Sequence, residues 1–433
     1  MTAPSFEAIR KALSENDAGE VRQLLERHEE LRAAVNEPLF PFDSPALVHV
    51  ASRADEALVD VLLEFGADPN RRSDWWAGGF HPLHSANERA AARLIAAGAI
   101  PDACAAAHLD RPDLLARIIE DDPARVHERG GDGQTPLHFA RSRPIVDMLL
   151  DAGAALDAKD IDHRSTPAQW MLDRRRGAGR YELARYLVER GATADIFLAA
   201  ALGLSDRVRE LLRANPSLLD LRTTQGDYAE RPPSSFHIYM WTIGANLSPM
   251  QVAARFQHDD TLQAMREGAS PAQRLVFACV RGDADEARAL HAANPRLVEA
   301  LRPIDLRALP DAAWAGDTAA VSLMLELGFD PMATGHDGGT ALHCAAWQGA
   351  TDCVAAILRH PERRALVERR ESTYGGVALD WCCHGSQHCG NPAADYPSVA
   401  RMLLEAGSPL PRNPEGASRA VRAVVARFSR ATS

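Results

Sequence analysis

Apolar positions recur along this chain at helical spacing, in short stretches that come in pairs. The second members read AARLIAAGA, VDMLLDAGA, ARYLVERGA, VSLMLELGFD and ARMLLEAGS. Each gathers Leu, Ile, Val or Met in a short apolar run and closes on glycine, the pattern of a helix ended by a left-handed residue. The first members open on HPLHSA (81–86), TPLHFA (135–140), TPAQWM (166–171), SPMQVA (248–253), TALHCA (340–345) and VALDWC (377–382). Thr135 can cap the turn it precedes, and Pro136 suits a first helical position, where an N–H would be unpaired. More divergent units, DIFLAAALGLSDRVRELLRANP (195–216) and RLVFACVRGDADEARALHAANP (274–295), fill the gaps.

Anchored on the small residue of each first helix, the units fall near 86, 107, 140, 171, 200, 253, 278, 313, 345 and 382. The steps are 21, 33, 31, 29, 53, 25, 35, 32 and 37 residues. One helix pair cannot bury its own apolar face, so stacked neighbours must supply the core and the fold class is all-α. The longer regular steps and the T-P-L-H-x-A signal resemble the ankyrin repeat, whose period is about 33 residues. The resemblance covers nearly the whole chain. It implies an ankyrin-type α-solenoid of about 11–12 helix-turn-helix repeats with short β-hairpin fingers. DAKDIDHRSTPAQWML (157–172), ADIFLAAALG (194–203), DGGTALHCAAWQG (337–349) and HGS…DYPSVARMLLEAGS (384–408) are further similar to a bacterial ankyrin subfamily with divergent repeats and an HGS…DY-type final repeat. That likeness implies a fold and leaves the activity open. It also implies that His84, His138 and His343 brace their turns by bonding to backbone.

The expected organisation is N-terminal repeats over 1–221, an aromatic-rich insertion over 222–247, C-terminal repeats over 248–411 and a capping helix or tail over 412–433. The tail, GASRAVRAVVARFSRATS, carries Val421, Val424, Val425 and Phe428 on one side, as a cap would. DRRRGAGR (173–180) reads as a basic, solvated loop between two helices.

Three stretches depart from an even array: RRSDWWAGGFHPLH (71–84), RTTQGDYAERPPSSFHIYMWTIGANLSP (222–249) and ALDWCCHGSQHCGNPAADY (378–396). In FHIYMW the alternation is too poor for an amphipathic strand and the run too short for a helix. In ankyrin arrays, fingers and first helices line the concave face. If the departures project there, Trp75, Trp76, Phe236, His237, Tyr239, Trp241, Trp347, Trp381, His384 and Tyr396 share one groove. Large rings with few rotors suit recognition of a protein or peptide. The competing expectation is that these rings fill the interior. A second function class is an enzyme or small-molecule binder of isomerase, cyclase or hydrolase type, with a pocket formed by the insertions. Its acid–base candidates are Asp162, His163, His237, Tyr239 and His384.

The cluster of Cys382, Cys383, His384, His388 and Cys389 admits a metal with ligands Cys383, His384, His388 and Cys389. The spacing is poor for zinc, because adjacent cysteines on a helix point apart. The plainer reading makes Cys382 a small core residue, ends the helix at Gly385 and leaves a polar loop that reaches toward Asp395 or Tyr396. There is no Gly-x-Ser-x-Gly elbow, Walker loop or dinucleotide fingerprint, so no cofactor is expected. GGDG (130–133) and HDGG (336–339) fit finger turns.

A formal net charge of −11 argues against a nucleic-acid footprint. No run of about 18 apolar residues predicts a membrane span. MTAPSFEAIRKALSEND lacks an apolar core, so no secretory signal is expected; the seven cysteines read as reduced thiols in a cytoplasmic protein.

Overall fold

The computed structural model describes residues 4–173 and 178–432, so half of the basic DRRRGAGR stretch, residues 174–177, lies outside the described residues. The chain divides into two compact units, Met1–Glu267 and Gly268–Ser433. The aromatic insertion 222–247 and the following helix Pro249–Arg255 fall at the C-terminal end of the first, and the helix Asp259–Gly268 ends at the boundary. Both units are built of short helices packed in pairs.

Helix starts show how the sequence sets these pairs. The backbone N–H of Thr135 donates to His138 Nδ1 at 3.0 Å, and that of Thr340 to His343 Nδ1 at 3.3 Å. Glutamine takes the same place after Thr166 (Gln169, 2.8 Å), Ser248 (Gln251, 2.7 Å) and Ser270 (Gln273, 2.8 Å). Each side chain reaches back over one turn to a backbone donor that the helix leaves unpaired. With Nδ1 accepting, Nε2 carries the hydrogen. His138 Nε2 donates to Ser165 O of the next finger at 3.1 Å, and His343 Nε2 to Gly376 O at 3.3 Å. His84 braces its turn in the same way, Nδ1 accepting from His81 N at 3.2 Å, but its Nε2 lies 2.9 Å from the Asp102 carboxylate, which Arg72 also engages, rather than on a carbonyl.

The fingers are shorter than hairpins. Among the described residues there is no strand; an isolated antiparallel bridge joins Thr334 to Thr340. Single backbone bonds close other fingers: Ser73 N to Phe80 O (2.9 Å), Gly130 N to Gln134 O (2.8 Å) and Glu371 N to Gly376 O (3.0 Å). Asp132 (φ 56°) and Asp337 (φ 47°) turn the tips in left-handed conformation, leaving arms too short to ladder.

In the second unit, Leu342, Val354, Ile357, Leu379 and Leu403 are fully buried in one core. Burying each such side chain contributes about 1.5–3 kcal/mol. The last helix, Arg419–Thr432, lays Val421 and Val425 into this core, with Val424 and Phe428 packed at its edge. The tail is therefore packed onto the repeats.

One expectation is overturned here. Gly385 does not end its helix, which runs Ala378–His388, and Gly385 is buried within it. A Cβ at this position would stand 2.4 Å from the Trp347 carbonyl oxygen. The glycine serves close approach of two first helices rather than a stop. With the helix continued, Ser386 Oγ bonds Cys383 O (2.6 Å) and accepts from Ser418 N (2.9 Å) instead of reaching Asp395 or Tyr396. No helix among the described residues is long and apolar enough to cross a membrane.

Candidate functional site

In the second unit, equivalent positions on successive first helices form a ladder of rings. Trp314 follows Arg307 by seven residues (314 − 307), as Trp347 follows Thr340 and His384 follows Val377. The Trp314 and Trp347 rings lie parallel, 9° apart in plane with centroids 6.1 Å apart; Trp347 and His384 are 5.4 Å apart. Trp381 meets Trp347 edge-on at 6.3 Å and stands against His343. Gly339 leaves room for Trp381, since a Cβ there would come within 2.8 Å of the indole. Glu371, buried beneath, accepts from the N–H groups of Thr373, Tyr374 and Gly376 (2.6–2.8 Å). Burial pushes its carboxyl up, but these donors outweigh it and hold the group below its ordinary range.

The three indoles wall a cavity of about 370 Å³, completed by Asp337, Tyr374, Asp380, His384 and Arg412. Asp337 and Tyr374 are exposed at its edge. Asp380 is already engaged, accepting from Val377 N (2.9 Å) and Arg412 N (2.8 Å). Tyr396 stands behind the wall, donating its hydroxyl to Trp347 O at 3.0 Å.

In the first unit, the insertion is stitched to a finger. Asp162 accepts from Ser235 N (2.8 Å) and Ser235 Oγ (3.1 Å), and Arg164 donates to Ala229 O and Ser235 O. His163 donates from Nδ1 to Phe236 O at 2.8 Å. This leaves Nε2 facing Asp162 Oδ2 at 3.6 Å and Asp132 Oδ2 at 3.9 Å. All three residues are buried. Asp132 Oδ1 has no hydrogen-bond partner. Burial pushes the Asp132 carboxyl up to about 7, with His163 acting the other way. The indole N–H of Trp75 favours the charged carboxylate but closes no hydrogen bond. Trp241 meets the His163 ring at 4.8 Å, and Trp75 meets Trp76 at 6.2 Å. The first two departures thus converge on Asp132, Asp162 and His163.

Tyr239 and His237, expected on the groove, are both buried. Tyr239 starts a single helical turn, Tyr239–Thr242, and is fully buried with its hydroxyl 2.8 Å from Asp195 Oδ1. Tyr228 reaches the same carboxylate at 3.3 Å. His237 is buried, accepts from Tyr239 N, and is pushed down to about 3 by burial, so it stays neutral. Their surroundings are those of an interior. Trp76 and Trp241 remain exposed, and Phe236 is half-buried.

Cys383, His384, His388 and Cys389 do not gather round one point among the described residues. Cys382 and Cys383 are buried, and burial pushes the Cys383 thiol up to about 12, far from a ready thiolate. His384 and His388 are exposed, their rings 4.3 Å apart. Asp132, Asp195 and Trp314 were not singled out by sequence; aligning the register on Trp347 and His384 finds Trp314, whereas nothing local marks the other two.

These helix pairs and fingers define an ankyrin-type all-α solenoid fold. The family model for ankyrin repeats in many copies matches residues 309–358, and the single ankyrin repeat model matches residues 132–161, one in each unit. The chain is 30% identical over 146 residues to the mouse ankyrin repeat and SAM domain-containing protein 6, covering 31% of this chain and 16% of that protein. The protein therefore carries ankyrin repeats, and it spans about a sixth of that relative's length.

Proposed function

We propose that this chain is a non-catalytic recognition protein that seats a basic side chain of a protein or peptide partner in the tryptophan-walled cavity of its second unit. The observation that carries this is the cavity of about 370 Å³ with three indole walls. Ankyrin repeats generally act as protein–protein interaction modules, which supports a macromolecular partner. Indole faces attract Arg and Lys. Two carboxylates against one guanidinium on the lining, and a chain charge of −11, favour a basic anchor. Bacterial origin and a cytoplasmic location accompany this reading.

A small cationic molecule in the same cavity is the second reading, favoured by a volume in the range of ligand pockets. Peptides selected by display on the full chain, titrated by tryptophan fluorescence, separate the two. Enrichment of Arg or Lys, and about tenfold weaker binding by Trp347→Ala, are expected. Selected peptides that bind the variant as tightly as the parent would overturn the proposal.

A further inference from the structure

The polar cluster of the first unit holds an arrangement that packing alone does not require. His163 is fixed through Nδ1 to a backbone carbonyl, so its Nε2 faces the carboxylates of Asp162 and Asp132 at 3.6 and 3.9 Å. These separations exceed a hydrogen bond. They approach the roughly 3.3–3.6 Å between nitrogen and oxygen atoms that share one tetrahedral cation. The supporting bonds match what metal ligands need: a second ring nitrogen on a carbonyl, and a carboxylate held by other donors, here Ser235 N and Oγ. Asp132 is 6% exposed, and its Oδ1 has no partner although it is buried. Leaving a buried carboxylate with Oδ1 unpaired and Oδ2 facing only His163 is costly, and a cation held between the three groups would offset that cost.

We propose that Asp132, Asp162 and His163 form a site for one divalent cation that accepts mixed nitrogen and oxygen ligands, of the Zn²⁺ class. The three ligand atoms lie within 4.8 Å of one another, so closing them onto one ion leaves a fourth position for water. The ligands come from two neighbouring fingers, 132 and 162–163, and the insertion supplies the outer bonds. The cation thereby ties the insertion to the repeats and neutralises the buried carboxylates. The other buried group of this kind, His84, Asp102 and Cys104, is already satisfied, because Arg72 and His84 both engage Asp102.

The test is calorimetric titration of the chelator-treated full chain with Zn²⁺, followed by Co²⁺ absorption. One equivalent is expected. Asp132→Asn and His163→Gln should each weaken uptake more than about 100-fold, beyond the loss of an outer partner. His384→Ala with His388→Ala should leave uptake unchanged. No uptake by the parent would overturn the proposal, meaning that a proton or the Trp75 N–H meets Asp132. Uptake that survives Asp132→Asn, or that is lost with the exposed histidine pair, would overturn it as well. Should the cluster variants fail to fold by circular dichroism, Co²⁺ in the parent decides. Paramagnetic broadening must fall on His163 and Trp241 resonances, and broadening centred on 384–388 refutes the site.

Discussion

The polar cluster of the first unit and the ring ladder of the second treat the same residue type in opposite ways. His163 is buried, its orientation fixed by the Phe236 carbonyl, and its free nitrogen turned to carboxylates. His384 is exposed at the end of a row of indoles and stacks near His388. The difference follows from what each repeat carries beyond its helix pair. Where 222–247 folds back on the finger 160–165, backbone donors and acceptors cover the site and make it polar and closed. Where Trp314, Trp347 and His384 simply repeat along bare first helices, the surface stays open and aromatic. One scaffold thus holds a closed polar cluster or an open aromatic face, depending on an insertion.

The largest test breaks one side of that contrast and spares the other. Gly385→Val places a branched side chain against the Trp347 carbonyl, which a Cβ alone would approach to 2.4 Å. We expect the second unit to lose about 3 kcal/mol, the upper end for overpacking. Hydrogen exchange should rise over 340–404 and not over 135–170. Parent-like exchange would mean the helices separate at little cost and the ladder is not rigid.

Acid sharpens the contrast next. Burial pushes His343 down to about 4 from an ordinary 6.5. Its folded value lies below its unfolded value, so the unfolded chain takes up the proton first. Its contribution is whole above pH 6.5 and is lost as pH falls toward 4, by about 3 kcal/mol in all. His343→Gln keeps the turn-bracing bond, as Gln169, Gln251 and Gln273 make it elsewhere in this chain, and removes the titration. Urea unfolding of the second unit should then lose less stability between pH 6.5 and 4 than in the parent. An equal loss would assign the acid response to other groups. In the first unit burial acts both ways, lowering His138 and His237 while raising Asp132, Asp160 and Asp195.

Why the two regions differ was only partly legible beforehand. The repeats were, because Thr135-Pro136-Leu137-His138 spells a helix start in local chemistry alone. Trp381 and His384 were visible as rings in an odd stretch and Trp347 as a ring in the regular repeat before it, and all three line the cavity. Gly385 was misread because a helix stop and a close helix contact use the same residue, and only the neighbour, Trp347, separates them. The meeting of Asp162 with Ser235, 73 positions apart, leaves no local trace. Tyr239 looked like a surface anchor because sequence shows an aromatic residue in an insertion but not the Asp195 carboxylate waiting beneath it.

Cutting one stitch of the insertion comes third. Asp162→Ala removes the acceptor of Ser235 N and Oγ and leaves both donors to find other partners. We expect about 2 kcal/mol of local stability to go. Amide exchange over 229–242 should quicken while the second unit keeps its melting behaviour. Unchanged exchange there would show that Arg164 and Tyr239 suffice to hold the insertion.

The smallest effect decides what kind of face the open groove is. Asp337 is an exposed carboxylate at the rim of the indole cavity. Exposed charges interact weakly and are screened within about 10 Å at 0.1 M salt. Asp337→Asn should therefore weaken binding of an arginine-bearing peptide by about two- to threefold at low salt and leave it unchanged at high salt, measured by tryptophan fluorescence. The indole walls should carry the remainder, so Trp347→Ala must cost more than Asp337→Asn at either ionic strength. If the rim variant costs more, charge rather than the ring faces holds the partner, and the repetition of Trp314 and Trp347 serves packing between repeats.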